Sequence, residues 1–137
     1  MARDIVVGYD GTDCAKAALG QALAIARDLG APIAITFGYG PSQLGGEVKD
    51  MRDALRELGD RLVHEAESMA AEAGVKADVV LVDARPAEGL VRVAAEREAR
   101  MIVVGSHGER PLAAAILGST PHRLLHMSTI PVLVVPA

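Results

Sequence analysis

Five short runs of β-branched and aliphatic residues recur along this chain: Ile5 to Val7, Ile33 to Ile35, Val79 to Val82, Met101 to Val104 and Val132 to Val135. Every position in each run is apolar, so none reads as a strand with one wet face. Strands without polar alternation must be buried on both sides, which is the condition of a parallel sheet covered by helices. The segments between the runs supply those helices. Ala15, Ala18, Leu19, Ala22, Ile25, Ala26 and Leu29 recur at helical spacing, with Thr12 placed to cap the start and Gly30 and Pro32 to stop the end. Met51, Leu55, Leu58, Leu62, Ala66, Met69 and Ala73 trace a longer stripe that closes at Gly74. Ala87, Leu90, Val91 and Ala94 follow Pro86, and a last helix begins near Thr120 with Pro121 in its first turn and Leu124 and Leu125 toward the sheet.

The expected order is therefore βαβαβαβαβ in an α/β fold, with right-handed crossovers joining one open five-stranded parallel sheet and helices on both faces. Ligands of such sheets bind beyond the carboxyl ends of the strands, where strand order reverses. The turn-rich segment Gly38 to Gly46, GYGPSQLGG, follows the second strand on that side and is expected to be a loop.

At 137 residues, half of them apolar, the chain can bury one core without metals or disulfides, so a single domain over 1–137 is expected. Fourteen Lys and Arg against 18 Asp and Glu leave a net charge of −4, and no basic run or aromatic cluster is present to neutralise phosphates or stack bases. That disfavours a nucleic-acid partner. No stretch reaches the roughly 18 apolar residues of a membrane span, and Met1-Ala2-Arg3-Asp4 carries no signal-peptide pattern. The single cysteine, Cys14, fits a reducing compartment. A cytoplasmic protein is the expectation.

Three small-residue turns fall at strand ends. The first is Gly8-Tyr9-Asp10-Gly11-Thr12; the others are Gly105-Ser106-His107-Gly108 and Gly118-Ser119-Thr120, spaced G-x2-G-x9-G-S-T. Glycines let backbone N–H groups come close to phosphate oxygens, a helix start offers unpaired N–H groups and a favourable dipole, and Ser119 and Thr120 add hydroxyls. A polyphosphate suits all three features. The alternative is structural: glycines that shape turns, a helix cap at Gly118 to Thr120, and an Asx-turn at Asp10. Arg110 is either a phosphate partner or a solvated loop residue, and His107 either touches the ligand or faces solvent.

The spacing, the opening IVVGYDGT and the closing STIPVLVVP together resemble the universal stress protein family, in its ATP-binding branch, over essentially the whole chain. The resemblance implies a Rossmann-like sheet of order 3-2-1-4-5, a homodimer, and ATP or another adenine nucleotide between the ends of the first and fourth strands. In that picture Asp10 meets the nucleoside end, with Gly8 letting the backbone approach and Gly11 and Thr12 completing the turn. Val104, Gly105, Ser106, His107, Gly108 and Arg110 border the ribose and phosphates with Gly118, Ser119 and Thr120. Magnesium can accompany the phosphates, Asp10 being its candidate ligand. Two positions depart from the family pattern: Gly38, where relatives usually carry a small aliphatic residue at the adenine, and Pro121, which has no N–H to offer.

Other signals are weaker. His122 and His126 stand four apart on one helix, the spacing of paired metal ligands, but without the Glu and third ligand of an HExxH site. Cys14 near a helix start reads as a small buried hydrophobe. Neither a G-x4-G-K-[ST] loop nor a G-x-G-x-x-G after the first strand occurs, which disfavours a P-loop NTPase or a dinucleotide enzyme. The leading expectation is a stress-response module in which bound ATP acts as a switch or structural ligand, with hydrolysis slow at most. A cyclic AMP binder, a slow ATPase and a nucleotide-free dimeric adaptor stand as alternatives. Dimerisation is expected through Val132, Leu133, Val134 and Val135, because an uncovered apolar edge strand invites pairing.

Overall fold

The computed structural model describes residues 3–39, 59–107 and 118–136. Strand β1 (Ile5–Gly8) leads into helix α1 (Asp13–Leu29), β2 (Ile33–Tyr39), α2 (Asp60–Ala73), β3 (Ala77–Asp83), α3 (Pro86–Glu96), β4 (Met101–Gly105), α4 (Ser119–Met127) and β5 (Val132–Val135). The five strands form one parallel sheet of order β3-β2-β1-β4-β5.

Side chains of each strand point alternately to the two faces, and each face has its own core. Ile5, Val7, Ile33, Ile35, Phe37, Leu81 and Val103 pack with Ala18, Leu19, Ala22 and Ala26 of α1 and Ala66 and Ala70 of α2. Val6, Ala34, Val82, Ile102 and Val104 pack on the other side with Leu90, Val93 and Ala94 of α3 and Leu124 of α4. The alanine stripe of α1 brings that helix close to the sheet, and each larger buried side chain adds about 1.5–3 kcal/mol. At the opposite end from the strand tips, Arg97 ties α3 to the sheet, with its guanidinium 2.7 Å from Asp4 and 3.2 Å from Asp78. Those hydrogen bonds, that to Asp4 foremost, raise its pKa.

Local chemistry sets the ends of the elements. Thr12 caps α1 by accepting from the Ala15 N–H at 3.2 Å, and Gly30 closes it with φ +65°. Pro86 opens α3 at a position where no N–H is needed. Glu98, with φ 50°, takes the left-handed conformation just past the end of α3 that glycine usually fills.

Three expectations need correction. The stripe from Met51 to Ala73 is not one helix: Gly59, with φ +88°, adopts a conformation no helix interior accepts, and α2 starts at Asp60. Met51, Leu55 and Leu58 lie outside the described residues. Strand β2 runs on through Gly38 and Tyr39, paired to Val82 and Asp83, so the expected loop starts later; its remainder, residues 40–46, also lies outside the described residues. Leu125 does not face the sheet. It is 55% exposed while Leu124 is fully buried, because the step of about 100° between them carries Leu125 out of the narrow stripe that α4 presents to the sheet.

Candidate functional site

Strand order reverses between β1 and β4, since β1 continues to β2 on one side while β4 continues to β5 on the other. The turn after β1 and the turn after β4 therefore flank one crevice at the carboxyl edge of the sheet. Helices α1 and α4 both begin at that edge, so two helix N-termini with their positive dipole ends border the same crevice.

On the β1 side, Asp10 is exposed, and its Oδ1 accepts from the Thr12 backbone N–H at 3.0 Å and from the Thr12 hydroxyl at 2.6 Å. This is the Asx-turn of the structural alternative, and it presents the carboxylate to solvent in a fixed pose. Gly11 has φ +82°, which favours glycine; a Cβ there would fall 2.4 Å from Leu62 Cδ2 of α2, the far end of a side chain that can turn aside. Tyr9 points inward, edge-on to Phe37 with ring centroids 5.7 Å apart, and its hydroxyl is buried without a hydrogen-bond partner among the described residues. Burial above all, then the negative charges of Glu65 and Asp10, pushes the Tyr9 phenol above its ordinary pKa.

On the β4 side, Gly105 lies against the first turn of α1. A Cβ at Gly105 would stand 2.8 Å from the Cys14 Cβ and 2.9 Å from its carbonyl group. The buried Cys14 thiol then reaches Ser106 Oγ at 3.6 Å and His107 Nε2 at 3.4 Å. Gly118 closes the cluster: its N–H donates to the Ser106 carbonyl at 2.7 Å, and a Cβ there would stand 2.9 Å from the His107 Cα. In α4 the first intrahelical bond runs from the His122 N–H to the Gly118 carbonyl, and Pro121 has no N–H. The backbone amides of Ser119 and Thr120 are therefore the two donors of the first turn with no intrahelical acceptor.

These contacts sort the residues singled out from sequence. Cys14, Gly105, Ser106, His107 and Gly118 are brought into one contiguous patch, with Ser119 and Thr120 following directly. Gly8 and Val104 lie on the opposite face of the sheet: a Cβ on Gly8 would meet Leu90 at 3.0 Å and Val104 at 3.2 Å, and the Val104 side chain is core. Gly38 has its own structural cause, because a Cβ there would stand 2.8 Å from the Pro86 Cα at the start of α3. Gly108 and Arg110 lie outside the described residues. Sequence reading missed the proximity of Cys14 to this patch. The signal is Thr12 as cap: once α1 starts there and β1 neighbours β4, the second helical residue must lie over the end of β4.

The fold and its edge crevice define a Rossmann-like parallel α/β protein with the ligand position of that class at the β1–β4 reversal. The family model for the universal stress protein family matches residues 1–136. The universal stress protein YxiE of Bacillus subtilis is 31% identical over 147 residues, covering 98% of this chain and 99% of that one. A universal stress protein of Thermus aquaticus is 32% identical over 138 residues, covering 98% and 99%. Among solved structures, a universal stress protein in complex with cAMP superimposes with a TM-score of 0.76 at 29% identity, covering 98% of this chain and 97% of that one. The chain belongs to the universal stress protein family.

Proposed function

We propose that this protein binds an adenine nucleotide in the β1–β4 crevice. The observation that carries the reading is the pair of amides at Ser119 and Thr120 with no intrahelical acceptor, at a helix start on the same sheet edge as the start of α1. Two N–H donors with two hydroxyls in one helical turn form a cradle for one phosphate group. Asp10, exposed and fixed by Thr12, is placed to accept from ribose hydroxyls. Ser106 and His107 border the phosphate, and Gly105 and Gly118 allow the close approach of α1 and α4 that shapes the cradle. Gly8, Gly11, Thr12, Gly38 and Val104 hold the strand ends and turns behind it.

Bound nucleotide would act as a switch or structural ligand. Magnesium would travel with a polyphosphate; Asp10 offers it one carboxylate, and no cluster of three or more His, Cys, Asp or Glu residues exists among the described residues. The dimer through Val132 to Val135, the cytoplasmic location and hydrolysis that is slow at most belong to the same proposal.

A specific observation favours cyclic AMP as a second reading of the same crevice. Pro121 removes the third amide that the first turn of α4 would otherwise present, which matters less for one phosphate than for three. A 29% identical relative was solved in complex with cAMP. Calorimetric titration of ATP, ADP and cyclic AMP into the wild type and into Ser119→Ala/Thr120→Ala separates these readings. Binding weakened about 100-fold or more in the double variant is expected, from two hydroxyl hydrogen bonds to a charged phosphate lost at about 1.5–3 kcal/mol each. No heat with any of the three would overturn nucleotide binding altogether.

A further inference from the structure

The geometry points to a transition-metal site on the exposed stripe of α4, held by His122 and His126. Both side chains are exposed, and their ring centroids lie 4.9 Å apart with an interplanar angle of 69°. Two imidazoles that share one ion at Zn–N distances of about 2.0–2.1 Å, with a near-tetrahedral angle between them, place their ring centroids about 5 Å apart. The observed ring separation matches this value, with the rings edge-on to each other, and side-chain rotation is what turns a nitrogen of each toward one ion. One turn of helix separates the residues, so the ion would clamp successive turns of a nine-residue helix.

The chemistry selects a borderline divalent ion such as zinc, nickel or copper, because imidazole nitrogen is a ligand for these and a poor one for magnesium or calcium. No third His, Cys, Asp or Glu completes the site among the described residues, so water or an exogenous ligand would fill the remaining positions. What the sequence lacked as an HExxH site the structure replaces with two open, pre-approached rings. The site stands apart from the nucleotide reading, since neither imidazole is needed to hold the phosphate.

The test titrates zinc chloride into the full chain in chelator-free buffer, by calorimetry and by NMR of the imidazole Cε1–H signals. His122→Gln and His126→Gln serve as variants at exposed positions. The wild type should bind one equivalent more than the variants or bind at least about tenfold more tightly, as two ligands become one. The His122 and His126 signals should shift together, and added zinc should raise the melting temperature of the wild type more than that of either variant. Cys14, His64 and His107 remain in every variant, so metal held there cancels in the comparison. Zinc binding that is the same in the wild type and both variants, or His122 and His126 signals that do not move, would overturn the site.

Discussion

Tyr9 carries a hydroxyl into a core that gives it no partner among the described residues, and a buried unpaired hydroxyl costs about 1–3 kcal/mol of desolvation. Tyr9→Phe is therefore expected to leave stability unchanged or to raise it by about 1 kcal/mol, read from urea unfolding; a loss above that size would mean the hydroxyl has a partner in solution. Glu98→Gly should stabilise by about 0.5–1 kcal/mol, because glycine takes the left-handed conformation at φ 50° without strain. Gly105→Ala should destabilise by about 1–3 kcal/mol, since the methyl meets α1 backbone atoms that cannot rotate aside. That last case shows what sequence reading resolves at this scale. The glycines at 105 and 118 were visible as a pattern and Gly38 as a departure from it, and a glycine at such a place has two physical causes with one signature: room for a ligand, and room for another element. Pro86, Cys14 and His107 are the neighbours that impose the second cause, and nothing in local sequence says that they are neighbours.

Elements were legible where a cap or a period marked them. Thr12 to Gly30 bounded α1 as read, because a side-chain cap and a left-handed glycine are local chemistry. Helix α2 was not, because a helical hydrophobic stripe continues across Gly59 while the backbone there does not. Between α3 and α4 the Glu88 carboxylate is bonded by Arg123. That bond, foremost, holds the Glu88 carboxyl below its ordinary value of 4.5. A depressed native pKa gives stability that is present above the unfolded value and lost as pH falls through the native one. Acid unfolding should therefore include a component below pH 4.5 that Arg123→Gln abolishes, a small one because the pair is exposed to solvent. At the sheet edge, the carbonyls of Pro131 and Val135 accept from Ile102 and Ser106 of the β4 side. In a parallel ladder the alternate residues, Val132 and Val134, then turn their N–H groups outward. Val134→Pro removes one outward donor and leaves the β4 ladder intact, so it should convert the proposed dimer to a folded monomer in sedimentation. A dimer that persists would place the interface elsewhere.

For the whole molecule, periodicity alone led to a parallel sheet with helices on both faces, and the two cores bear that out. Strand order did not follow from periodicity. Right-handed crossovers permit several orders, and 3-2-1-4-5 entered through the family resemblance before the sheet was seen to have it. The order matters because it sets β1 beside β4 and so gathers Asp10, Ser106 and Ser119 at one edge, from positions far apart in the chain. An anion must also approach a protein of net charge −4, so attraction has to come from the paired helix starts rather than from overall charge. The most direct test follows the backbone amide signals of the wild type by NMR as cyclic AMP or ATP is added. The Ser119 and Thr120 amides should move first and most, with Thr12 and Ser106 moving beside them. Saturating nucleotide that leaves the Ser119 and Thr120 amides in place would contradict nucleotide binding in the β1–β4 crevice.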